Sequence, residues 1–128
     1  MVFLDTDVLI ECLRGVSQAK AWLKKEESRS FQIPGVVAME LVLGARDKVD
    51  LERIQRFLGS FTIIWPESAE FARAYQLLAK HRLVAGISIP DCLIAAMSVA
   101  RSTRLYTFNL KHFQIISGLD VQAPYPRS

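Results

Sequence analysis

A chain of 128 residues matches the size of one domain, and 51% hydrophobic against 23% charged residues supplies a core and excludes a disordered polymer. Charges recur so often that the longest uncharged stretches, Ser30–Met39 and Phe57–Pro66, fall short of the roughly 20 apolar residues that cross a bilayer. The net charge of +3 permits contact with phosphates without demanding it.

Val2-Phe3-Leu4 reads as a short strand, and Asp5-Thr6-Asp7 supplies capping chemistry for a helix from Val8 to Arg14 that stops at Gly15. A second helix is predicted over Ser17–Glu27, then a strand at Phe31–Ile33, with Pro34-Gly35 opening a helix over Val36–Arg46. Leu51, Ile54, Phe57 and Leu58 recur at helical spacing within Asp50–Leu58, and Phe61–Trp65 reads as a buried strand ended by Pro66. Glu67–Val84 is the longest helical pattern, predicted to bury Phe71, Ala74, Leu77 and Leu78. Gly86 breaks it, and Pro90 starts a helix over Asp91–Arg101. A strand at Arg104–Thr107, a helical turn at Leu110–Phe113, an edge strand at Val121 and an irregular tail from Ala123 to Pro126 complete the chain. Strands alternating with helices predict an α/β fold, its short and mainly parallel sheet flanked by helices, in a single domain over residues 1–128.

Cys12 and Cys92 lie in apolar runs without a CxxC partner, which predicts free buried thiols in a reducing compartment. The opening Met1-Val2-Phe3-Leu4-Asp5 lacks the basic start of a signal peptide and carries an acid where one would be apolar, so a cytoplasmic location is expected.

Open parallel sheets collect ligands at the carboxyl ends of their strands. Asp5 ends the first strand, Asp91 opens the helix after Ser88-Ile89-Pro90, Asn109 follows the strand ending at Thr107, and Glu40 stands alone among apolar neighbours from Val36 to Leu43. Each has a structural alternative. Asp5 or Asp7 suits a helix cap, Asp91 a capping box with Ser88, Glu40 a solvated stripe with Gly44 and Asp47, and Asn109 a left-handed turn. Taken together, three converging carboxylates would repel one another, and a hard divalent cation removes that repulsion. Mg²⁺ (or Mn²⁺) is held by one or two carboxylates plus waters, which leaves room for phosphate oxygens and for an activated water. His81 and His112 are far apart in sequence and are expected to be surface or hydrogen-bonded residues.

Four segments carry a resemblance. Leu4-Asp5-Thr6-Asp7-Val8-Leu9-Ile10, Met39-Glu40-Leu41-Val42-Leu43-Gly44, Ile89-Pro90-Asp91-Cys92-Leu93-Ile94-Ala95-Ala96 and Leu105-Tyr106-Thr107-Phe108-Asn109-Leu110-Lys111-His112-Phe113 resemble, in order and separation, the motif series of PIN-domain ribonucleases. Within that family the chain is most similar to the VapC-type toxins of VapBC toxin–antitoxin modules. The resemblance implies a three-layer α/β/α PIN-like fold and an Mg²⁺-dependent endoribonuclease that cleaves RNA. It further implies a cognate VapB-like antitoxin and a homodimer, for which Leu9, Leu13, Trp22 and Leu43 offer apolar material. It implies Asp5 and Asp91 as metal ligands, Glu40 as a third acid, and Asn109 as a neutral residue orienting substrate or a bound water. Thr6 and Thr107 would be hydrogen-bonding supports of the acids. Asp7 stands where the family more often has Asn, and a capping role is the favoured reading for it. Two other readings share features with the sequence. Asp5-Thr6-Asp7-Val8 also resembles the nucleophile loop of haloacid-dehalogenase-like phosphatases, although the later acidic pair of that family is missing. The remaining reading is a catalytically silent PIN-fold RNA-binding module.

Overall fold

A computed structural model describes residues 1–127. Val2–Leu4 (β1), fully buried, forms the centre of a five-stranded sheet. Phe31–Pro34 (β2) and Thr62–Ile64 (β3) lie on one side of it, and Arg104–Tyr106 (β4) and Val121–Gln122 (β5) on the other. The order is β3-β2-β1-β4-β5, and every neighbouring pair is parallel. The chain builds outward from β1 in one direction, then returns across it to lay β4 against its other side. The carboxyl ends of β1 and β4 therefore flank the place where strand order reverses, the usual ligand crevice of such sheets.

Helices Thr6–Leu13 (α1), Ser17–Lys25 (α2), Gly35–Leu43 (α3), Lys48–Leu58 (α4), Ser68–Ala85 (α5), Ile89–Ala100 (α6) and Leu110–Phe113 (α7) flank the sheet in an α/β/α arrangement. The core joins Phe3 and Leu4 of β1 to Val8, Leu9, Ile33, Val37, Ile94, Met97, Leu105 and Phe113. Helix α6 is buried from Cys92 to Ser98, consistent with its nearly uncharged sequence, and packs along α5. Gly86 ends α5 at φ +63°, a left-handed conformation that a residue without Cβ adopts readily. Gly35 is required sterically, because a Cβ there would overlap the Trp65 ring.

Several elements differ from the sequence-based expectation. Helix α4 starts at Lys48, before Asp50, because Asp47 caps it by accepting from Asp50 N at 2.8 Å. Strand β3 is shorter than Phe61–Trp65 and only half-buried, as an edge position dictates. Phe71 is 52% exposed rather than buried. The inward stripe of α5 runs through Glu70, Ala74 and Leu77, and Phe71 falls about 100° away from Glu70 around the helix. An acid takes the inward position because Arg101 meets it there: Nε and Nη2 donate to the two oxygens of Glu70, each at 2.8 Å. Leu9 and Trp22 are buried and Leu13 half-buried, so of the four residues offered for assembly only Leu43 is fully exposed.

Candidate active site

The acidic site begins with strand pairing. Leu4 of β1 stands opposite Tyr106 of β4, and Asp5 N donates to Tyr106 O at 3.0 Å, carrying the pairing one residue further and placing Asp5 beside Thr107. Asp5 caps α1, its Oδ1 accepting from Thr6 N at 2.7 Å. Its other oxygen, Oδ2, accepts from Thr107 Oγ1 at 2.8 Å. Thr107 in turn accepts from Asn109 N at 3.0 Å, and its hydroxyl also lies 3.3 Å from Asp7 Oδ2.

Thr6 connects the second acid, donating from Oγ1 to Glu40 Oε1 at 2.8 Å. Glu40 is half-buried on α3 and faces α1 rather than a solvated stripe with Gly44 and Asp47. Asp91 sits in the first turn of α6, where Ser88 caps by accepting from Asp91 N at 3.2 Å. The Asp91 side chain is not spent on the cap: its Oδ2 lies 3.1 Å from His112 Nδ1. The same His112 nitrogen lies 2.8 Å from Asn109 Nδ2. Asn109, at φ −92° and ψ 57°, is not left-handed. Hydrogen bonds therefore join Glu40, Thr6, Asp5, Thr107 and Asn109, and His112 Nδ1 stands within hydrogen-bond distance of both Asn109 and Asp91, bonding one of them at a time.

Asp7 does not cap α1; Asp5 does, and Asp7 is the second residue of the helix. Its Oδ2 accepts from Phe108 N at 3.1 Å, while Oδ1 is buried without a hydrogen-bond partner among the described residues. The preference for a capping role is corrected on this geometry. His112 is the residue that sequence reasoning left outside the site. The available signal was its spacing, three residues and so one helical turn after Asn109.

Electrostatically the site holds more acid than base: His112 lies beside Asp91 and Arg127 acts on Asp7, while Asp5 has no such neighbour among the described residues. Asp5 is 7% exposed and enters no ion pair among the described residues, nor do Asp7 and Glu40. Burial, reinforced by the charges of Asp7 and Asp91, pushes the Asp5 carboxyl up to about 7. Burial also raises Asp7. The Cys92 thiol next to Asp91 is likewise raised by burial, which argues against a thiolate nucleophile.

Among the described residues, no three Asp, Glu, His or Cys side chains stand close enough to form a ready-made metal cage. That disfavours a closed zinc-type site. The three acids therefore do not form the converging cluster expected from the sequence, whereas the missing positive charge around Asp5 and the orphaned Asp7 oxygen fit a hard, water-rich cation held by one or two carboxylates.

With that geometry in place, the likeness to known proteins is specific. Ribonuclease VapC1 of Rickettsia felis is 31% identical over 131 residues, spanning 94% of this chain and 93% of that protein. A toxin–antitoxin complex from Klebsiella pneumoniae contains a chain 28% identical, with a TM-score of 0.76 and 98% of each chain covered. VapBC2 from Rickettsia felis, bound to a DNA fragment from its promoter, superposes with a TM-score of 0.81 at 22% identity over 96% of this chain and 98% of that one, a likeness of fold. Residues 2–118 match the model of the PIN domain, and the chain belongs to the PIN-domain family.

Proposed function

We propose that this protein is an endoribonuclease toxin of the VapC type, which hydrolyses RNA phosphodiester bonds with a divalent cation and is restrained by a VapB-like antitoxin. The observation that carries this reading is the hydrogen-bonded arrangement of Glu40, Asp5, Asn109 and Asp91 at the carboxyl ends of β1 and β4, acid-rich and without a basic partner for Asp5.

Asp5 and Asp91 are the residues that would hold the cation, Mg²⁺ by preference and Mn²⁺ as an alternative. When bound, the ion supplies charge stabilisation to the phosphate and an activated water. The protein's own groups account for the rest. Thr107 and Thr6 N restrain Asp5, Thr6 orients Glu40, and Oε2 of Glu40, the oxygen not taken by Thr6, is the one that would accept a proton. Asn109 contributes a neutral amide that orients substrate. The haloacid-dehalogenase-like reading loses its support, because Asp7 is tied to Phe108 N rather than free for acid–base work beside a nucleophilic Asp5. The silent-module reading is disfavoured by the presence of all three acids.

Cleavage of structured RNA in Mg²⁺ should be abolished by EDTA and fall by about a thousandfold or more in Asp5→Asn, since several kcal/mol of transition-state stabilisation are removed. A folded Asp5→Asn protein that retains full activity would exclude the reading.

Two surfaces support the assembly part of the proposal. An apolar groove of about 660 Å³, lined by Met39, Val42, Leu43, Leu58, Ile63 and Trp65, suits an amphipathic antitoxin segment. Phe71, Tyr75 and Leu78 on α5, with Ile89 and Leu93 of α6, line a shallow apolar groove that would suit a homodimer. Light scattering at micromolar concentration should give twice the chain mass; a strict monomer would remove the dimer. The free buried thiols Cys12 and Cys92 agree with a cytoplasmic setting.

A further inference from the structure

The short helix α7 brings His112 to the edge of the acidic site, its side chain 40% exposed and its Nδ1 shared between Asp91 Oδ2 at 3.1 Å and Asn109 Nδ2 at 2.8 Å. An imidazole nitrogen presents either one hydrogen or one lone pair, so it serves one of these neighbours at a time. If Nδ1 accepts from the Asn109 amide, its lone pair faces a carboxylate oxygen, an arrangement that repels whenever Asp91 is ionised. If Nδ1 carries the hydrogen, it donates to Asp91, and Asn109 accommodates by turning its amide oxygen toward the ring. An Asp91 that holds a divalent cation is ionised, and it selects the second arrangement. Asp91 Oδ1 accepts no hydrogen bond from the described residues, so the imidazole engages one carboxylate oxygen and leaves the other open.

We propose that His112 is a positioning residue for Asp91: its Nδ1–H holds Oδ2, fixes the rotation of the carboxylate and leaves Oδ1 to the cation. This rests on the metal-site reading given above and adds a role for a side chain that does not itself touch the ion. Partners of this kind around a ligating carboxylate orient it, and their removal costs about 10–100-fold in metal affinity or activity. Asn109 is the hinge of the arrangement, since its amide can present either atom to the ring and its backbone already ties Thr107 to Asp5.

The test uses Mn²⁺ as the probe, titrated calorimetrically into the metal-free protein, with circular dichroism reporting that each variant is folded. His112→Ala should weaken Mn²⁺ binding by about 10–100-fold. His112→Asn puts an amide N–H where Nδ1–H stands and should come back to within about threefold of wild type, whereas His112→Gln reaches toward the Nε2 position and should behave like His112→Ala. At saturating Mn²⁺ the KM for RNA should be unchanged in all three. Unaltered Mn²⁺ affinity in His112→Ala, or rescue by Gln as complete as by Asn, would overturn the positioning role. A wild-type protein that binds no Mn²⁺ would instead overturn the metal-site reading itself, so the two failures are distinguishable.

Discussion

Asp5 and Glu70 are buried almost equally, at 7% and 6% exposure, yet their surroundings are opposite. Glu70 receives both arms of Arg101 and also accepts from Glu67 N at 2.8 Å. Arg101 holds its carboxyl below the usual glutamate range. Among the described residues Asp5 has only Thr6 N and Thr107 as hydrogen-bond partners; it faces the negative charges of Asp7 and Asp91 and is pushed up to about 7. Glu70 is a completed structural pair that ties the first turn of α5 to the end of α6, and Arg101 extends the junction by donating to Trp65 O at 3.1 Å. Asp5 is a buried acid with no positive partner among the described residues, which is what the proposed metal role requires. Burial alone therefore does not distinguish the two acids; the presence or absence of a cationic partner does.

The largest effect that separates the two regions concerns metal. A cation that binds the folded acidic site and hardly binds the unfolded chain stabilises by about 2.7 kcal/mol at a hundredfold excess over Kd. In a protein of this size that raises the melting temperature by several degrees. Asp91→Asn should abolish this Mg²⁺ response without much lowering the metal-free melting temperature. An undiminished response in that variant would remove Asp91 from the metal site and return it to a merely local role. A smaller effect is expected at the other buried acid. Glu70→Gln leaves Arg101 without its charged partner and should cost about 1–2 kcal/mol in urea denaturation, less than a fully buried pair because the Arg101 side chain is 28% exposed. Its Mg²⁺ response should match wild type, and a lost response there would show that the two regions are coupled.

Much of this contrast was legible in the sequence on one side only. Asp5, Glu40, Asp91 and Asn109 could be singled out because each stands just after a strand, at the opening of a helix or alone in an apolar run, and four weak motifs in one order carry a family resemblance that no single motif does. The sheet core was legible for the same reason: central parallel strands read as short apolar runs such as Val2-Phe3-Leu4. Glu70 and Arg101 were not legible as a pair. Nothing local says that an acid in the first turn of α5 turns inward to meet an arginine 31 positions later, and the apolar periodicity instead favoured Phe71. Asp7 was misread for a related reason. Capping propensity cannot choose between two acids two residues apart, and the choice was made by the turn after β4, where Phe108 N donates to the Asp7 oxygen. His112 escaped because its partner Asp91 arrives from a different helix.

The most direct test of the claim that Asp5 awaits a cation is the pH dependence of stability with and without metal. Because the folded-state pKa of Asp5 is raised from 3.8 to about 7, its contribution is fully present below about pH 4 and is lost as pH rises through about 7. The lowered carboxyls of Glu70 and Asp50 lose theirs only at more acidic pH, outside the range from 5.5 to 8. In EDTA, wild-type stability should therefore fall by about 2 kcal/mol across that range, and saturating Mg²⁺ should remove most of the fall. Asp5→Asn should show a clearly smaller slope, since Asp7 is also raised by burial, and should lose the Mg²⁺ effect. A metal-free stability that stays flat between pH 5.5 and 8 and is untouched by Mg²⁺ would contradict the account.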